Sequence, residues 1–328
     1  MAVECNNPRQ PKIEFAVLLE YLATRSDRVD HMIQRSHRRM ADWYQAPGPT
    51  PTKAIRAAEY ISEAEIGLAL ADQRFHLGQL FAHAAISFLV DYSRNLTRLD
   101  GSRKGPVGLW SNAFAIVDCL SAGRFNNAQI LRDQAVQLLN QRAYKAQELY
   151  AEDLELQKDP ENYVEIIPQR LFVFAHELMG QRAGQEKQPW EIWDIVGDQD
   201  YIKAARAVYT EDMDEAAQTL CQLCNLHVQY SNPFPADDEN DHLIGFEFDT
   251  PIRAIWPTEI FAWLRLRQER GLPLPEVEHP LLDQPLGRFE PNIPTQWEYK
   301  PWFVELVQKL VAYHPRYADL PRMVFEQP

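Results

Sequence analysis

Residues Val107–Asn140 read VGLWSNAFAIVDCLSAGRFNNAQILRDQAVQLLN. Apolar positions recur at helical spacing on both sides of Gly123-Arg124, which predicts one helix over Val107–Ala122 and a second over Phe125–Asn140. Glycine accepts the left-handed backbone that closes a helix, so the second helix packs back antiparallel on the first. A similar word, YTEDMDEAAQ, joins helices predicted over Asp198–Val208 and Glu211–Tyr230.

The same pattern extends outward. From Lys12 to Tyr44, Phe15, Leu18, Leu19, Leu22, Val29, Met32, Ile33 and Met40 trace one long helical stretch. Pro47, Pro49 and Pro51 break it, and Thr52 is placed to cap a second stretch running to about Asn95. A further helix is expected from Pro160 through Leu178, after an acidic, exposed run from Glu148 to Glu161. No strict repeat period exists, so the expectation is stacked helical hairpins rather than a tetratricopeptide array.

The chain changes character near Ser231. Fourteen of its 23 prolines lie from Pro233 onward, which leaves room for few long helices. Pro251–Arg270, stopped by Gly271, and Trp302–Tyr313, started after Pro301, fit best. The remainder should be an extended strap, packed down by aromatic residues, since six of eight tryptophans lie from Trp190 onward. LIGFEF, Leu243–Phe248, is the strand candidate, as a short hairpin. The fold expected is therefore all-α, with at most one short β-hairpin. Residues 1–230 would form a helical-hairpin body, and residues 231–328 an acidic loop and Pro-rich region packed on it.

Charge narrows the function. The 33 basic and 47 acidic residues give −14, which repels nucleic-acid phosphate and anionic membrane and favours basic partners. Met1–Gln10 shows no secretory signal, and the apolar run Leu77–Val90 is too short to span a bilayer, so a cytoplasmic protein is expected. Four cysteines, Cys5, Cys119, Cys221 and Cys224, do not read as a disulfide framework.

Motifs for chemistry are sparse. Neither glycine-rich phosphate cradle occurs, and no G-x-S-x-G. His176-Glu177 opens HELMG, where the second histidine of a zinc-protease helix is replaced by Gly180. Asp72, His76 and His83 share a helical face and read as a hydrogen-bonded polar seam. Cys221, Cys224 and His227 share another, with no fourth zinc ligand offered, and read as buried thiols. No catalytic residue, metal or cofactor is expected.

Two charge features stand out. Arg25, Arg28, Arg35, Arg38 and Arg39 form a basic face, expected to pair with acidic helices of the same chain. Ser231–Thr250, SNPFPADDENDHLIGFEFDT, carries Asp237, Asp238, Glu239, Asp241, Glu247 and Asp249 with no lysine or arginine. Phe234 and other apolar residues are interleaved. Apolar burial supplies affinity and carboxylates supply steering, so Phe234 and these six acids are the candidate docking set for a basic partner.

Pro257–Leu286 reads PTEIFAWLRLRQERGLPLPEVEHPLLDQPL, and Ala113–Gln129 reads AFAIVDCLSAGRFNNAQ. Both segments resemble predominantly helical bacterial immunity proteins of polymorphic and type VI secreted toxins, the second being similar to the immunity protein 49 family. The resemblance implies an antitoxin that neutralises a cognate toxin by covering its active site or locking its fold, with no cofactor and no enzymatic activity. It transfers no functional residues and no toxin class. Two rival readings are a helical scaffold holding a peptide, and a helical metal-dependent or hydrolytic enzyme built on Asp72, His76 and His83 or on His176–Glu177.

Overall fold

The computed structural model describes the chain except for residues 1, 25, 48–50, 72–76, 102–107, 142–168, 186–194, 196, 234–246, 249, 293–298 and 326–328. In chain order the described elements are β1 (Val3–Glu4), α1 (Phe15–Ala23), α2 (Ser26–Gln45), α3 (Thr52–Ala71), α4 (Leu77–Leu99), α5 (Leu109–Ser121), α6 (Phe125–Gln141) and α7 (Arg170–Ala183). They continue with α8 (Gln199–Arg206), α9 (Met213–Gln229), α10 (Thr258–Glu269), β2 (Val277–Glu278), α11 (Pro280–Asp283), α12 (Pro301–Tyr313) and α13 (Leu320–Phe325). The fold is all-α.

Helix α5 is the centre. Every residue from Asn112 to Leu120 is buried, an all-round burial that demands neighbours on each side. They are α4, α6, α7 and α10. The α5–α6 turn follows from Gly123, whose φ of +72° is costly for any residue with a Cβ. There Arg124 N–H donates to Cys119 O (2.8 Å) and Gly123 N–H to Leu120 O (2.9 Å), satisfying two carbonyls of the last turn. Gly271 closes α10 with the same pair of bonds, to Arg267 O and Gln268 O. Asp198 and Asp212 cap α8 and α9, each accepting two backbone N–H bonds.

Several sequence expectations are corrected. The first helical stretch is two helices, α1, which ends at Ala23 with Thr24 as its C-cap, and α2, which starts at Ser26. Helix α10 starts at Thr258, not Pro251, because a residue before proline is held out of the helical region and Pro257 imposes that on Trp256. The acidic run 148–161 and the start of the helix expected from Pro160 lie outside the described residues. So do residues 243–246 of the expected hairpin. The two-stranded sheet that is described joins β1 and β2 in parallel, with Val3 opposite Val277 and Glu4 opposite Glu278.

The Pro-rich strap is held by two arginines of α10 as much as by aromatics. Arg265 donates to Ser121 O, Glu290 O and Pro291 O. Arg267, fully buried, donates to Val208 O, Thr210 O and Pro273 O. Two residues apart on a helix, they point to opposite sides and gather carbonyls from different segments. Helix α13 docks on the start of α6, where Asn127 Nδ2 donates to Met323 O (2.9 Å), and on the segment before α12, where Tyr299 OH donates to Val324 O (2.8 Å).

Candidate functional site

The acidic segment is rooted in the core at both ends. Ser231 and Phe248 form a parallel bridge at the end of α9. Asn232 N–H donates to Phe248 O (2.8 Å), and Glu247 and Phe248 N–H both donate to Tyr230 O (3.0 and 3.2 Å). Phe248 is fully buried against Phe114 and the His227 ring. Thus the chain departs after Pro233 and returns at Glu247 beside its point of departure. Trp110, 44% exposed, stands at this root and donates its indole N–H to Glu247 O (3.1 Å).

Of the seven docking candidates, Phe234, Asp237, Asp238, Glu239, Asp241 and Asp249 lie outside the described residues. Glu247 is 6% exposed and accepts the Arg170 N–H (3.0 Å) at the start of α7. A carboxylate there satisfies an orphan donor and faces the positive end of the helix dipole. Glu247 therefore anchors the segment and leaves the docking set. Beside it, Arg170 stacks over the Tyr230 ring at 4.0 Å, and Tyr230 OH donates to Asp198 (2.8 Å).

His83, His176, His227 and His279 are buried among polar groups. Beside His83, Arg253 forms two bonds with Asp118, Nη1–Oδ1 2.7 Å and Nη2–Oδ2 2.9 Å, and Ser87 Oγ donates to the same carboxylate (2.8 Å). Burial alone raises the Asp118 carboxyl, but the Arg253 charge and these hydrogen bonds outweigh it and hold the carboxyl below its ordinary value. Arg253 Nη2 also lies 3.1 Å from His83 Nε2. A guanidinium only donates, so Nε2 accepts, the ring proton sits on Nδ1, and Nδ1–H donates to Ser62 Oγ (2.9 Å). Burial, opposed by Asp118 and helped by Arg253, pushes His83 down to about 4. Ser62, His83 and Asp118 are the residue types of a nucleophilic triad, yet the roles are reversed. The serine accepts the imidazole proton, and the lone pair that would act as base is held by Arg253.

His176 and Glu177 are also both buried but belong to separate contacts. His176 Nε2 meets Asn112 Oδ1 (3.3 Å), and Asn112 in turn donates to Asp91 (2.6 Å); burial, then the Arg132 charge, pushes His176 down to about 3. Glu177 accepts from Arg206 (2.8 Å) and Gln181. Asp72 and His76 lie outside the described residues, so the face shared with His83 is described only at His83. Among the described residues no group of three or more metal-type side chains converges.

The cysteine reading is corrected. Cys5 and Cys221, 216 residues apart, form a disulfide with Cα atoms 5.5 Å apart. Spacing along the chain carries no trace of it, because tertiary packing brings the N-terminal segment to α9. Cys119 and Cys224 remain buried thiols, and burial followed by the nearby Glu259 raises Cys224 well above the ordinary thiol range. His227 is fully buried, with Nδ1 2.7 Å from Glu259 Oε1 and Nε2 3.2 Å from Ala254 O.

The basic face of α2 departs from expectation too. Arg35, Arg38 and Arg39 are exposed, and none has an ion-pair partner among the described residues. Among the described residues no helix is long and apolar enough to cross a membrane. Comparison of the chain with protein-family models, curated proteins and solved structures gives no match.

Proposed function

We propose that this chain is a binding protein that neutralises a basic protein partner, in the manner of an immunity protein acting on a secreted toxin. The observation that carries the reading is the acidic segment 231–250, which has no compensating cation in its sequence and whose two ends are clamped together by main-chain bonds at Ser231 and Phe248. Clamped ends limit the conformational freedom the segment loses on binding, and its carboxylates steer a cationic surface toward it. The chain's charge of −14 acts in the same direction at longer range. The state of His83 is consistent with binding rather than turnover, since its basic nitrogen is committed to Arg253.

A cytoplasmic site of action would set the Cys5–Cys221 bridge against a reducing poise, so the bridge would form and break with the redox state around the chain. Co-expression with the protein encoded beside it tests the function. Suppressed toxicity and a complex that survives purification support it; a neighbour that is harmless, or equally toxic in the presence of this chain, removes it.

A further inference from the structure

The N-terminal arm, residues 2–24, crosses the molecule as a cover. Its strand β1 pairs with β2 over two residues, and Cys5 is bonded to Cys221 of α9. Beyond the disulfide, the arm's hydrogen bonds include Arg9 N–H to Asn225 Oδ1 (2.7 Å) and Lys12 Nζ to Gln229 O (3.2 Å), both exposed, and Phe15 N–H to Gln284 Oε1 (3.0 Å), part-buried. Helix α1 has nine residues and no side-chain N-cap, too short to persist alone in water. What it covers is apolar. Ile13, Leu18 and Leu22 pack with Ile66, Trp256, Phe261 and Leu286 in a cluster separate from the main core. Tyr21 and Leu22 also line a cavity of about 100 Å³, together with His83, Arg253 and Trp256.

We propose that the Cys5–Cys221 disulfide is a redox latch that holds this arm shut over the Trp256 surface. An external dithiol opens it: two electrons and two protons pass to the bridge, the Sγ–Sγ bond breaks, two thiols form, and the dithiol becomes a disulfide. Cleavage removes the long-range covalent tie and leaves the arm to non-covalent contacts alone, among them the β1–β2 ladder, the Arg9 and Phe15 hydrogen bonds and the packing of Ile13, Leu18 and Leu22. Its opening exposes Ile66, Trp256 and Phe261 and enlarges the cavity above His83. Cys224, one turn from Cys221 and fully buried, stays a thiol through the cycle.

The test uses the full chain purified without reductant. Maleimide labelling with intact mass should find no reactive thiol in the native protein and two after dithiothreitol, with Cys119 and Cys224 reacting only on denaturation. Amide exchange across residues 13–24 should accelerate at least tenfold on reduction, while α5 stays protected. Cys5→Ser should exchange as the reduced protein does under both conditions, and Cys224→Ser should keep the full redox response. If Cys5→Ser does not fold, the reduced and oxidised wild-type chains decide alone. Two thiols reactive before reduction, a bridge mapped between Cys221 and Cys224, or equal exchange of the arm in both states would each overturn the latch.

Discussion

Arg253 and Asp118, 135 residues apart in sequence, meet in a buried two-bond pair that joins the segment before α10 to the middle of α5. Both side chains are almost wholly withdrawn from water. Removing one partner leaves the other charge buried and unpaired, which costs about 3–5 kcal/mol. Asp118→Ala and Arg253→Met should each lose about that much in urea unfolding. The double variant should be less damaged than the sum, because neither charge is then stranded.

His83 makes stability depend on pH. Its folded pKa, about 4, lies below the ordinary histidine value of 6.5. Between those values the unfolded chain binds a proton that the folded chain refuses. Stability from this residue is therefore complete above about pH 6.5 and declines as pH falls toward 4, by about 3 kcal/mol in all. His176, pushed down to about 3, and His279, pushed down to about 4, act in the same sense. Urea midpoints measured across this range should fall with acidity, and His83→Asn should flatten the slope.

Gly123 should not tolerate a side chain. At φ +72° an alanine meets its own carbonyl, a penalty of about 1–2 kcal/mol. Gly123→Ala should lower the unfolding free energy by that amount without changing the helical content seen by circular dichroism.

Arg267 should be the strap's most sensitive residue. Arg267→Met leaves the Val208, Thr210 and Pro273 carbonyls without their donor, at about 1–3 kcal/mol for each that stays buried. Limited proteolysis should then cut between Gly271 and Glu276, where the wild-type chain resists.

The acidic segment should separate binding from folding. Asp237, Asp238, Glu239 and Asp241 changed together to lysine should slow association with a basic partner by about 10–1,000-fold at low salt. Their effect on stability should stay within about 0.5 kcal/mol if they are surface positions. Glu247→Ala should do the reverse, costing about 1 kcal/mol of stability through the lost Arg170 N–H contact. An unchanged association rate in the lysine variant would place the contact elsewhere.

Helix ends were the most legible part of the chain. Gly123 and Gly271 close helices where their position after an apolar run placed them, and Asp198 opens the helix expected from it. Those signals are local, since a backbone torsion or a capping carboxylate acts within three or four residues. Pro251 marks a permissible helix start in sequence, but the restriction that Pro257 puts on Trp256 moves the start of α10 to Thr258. Glu247 was grouped with its acidic neighbours because composition does not distinguish a carboxylate that caps a distant helix from one that faces water.

By itself the sequence determined an all-α chain of hairpins, its turns, its acidic segment and its negative charge, all of which follow from torsional preference, periodicity and composition. Only the tertiary structure decided that Cys5 meets Cys221, that β1 lies parallel to β2, that Arg253 takes both Asp118 and the His83 lone pair, and that Arg35, Arg38 and Arg39 stand exposed with no ion-pair partner among the described residues. A polar or sulfur group finds its partner among whatever faces packing brings within about 3 Å, and that neighbourhood is set by the burial of apolar surface far along the chain.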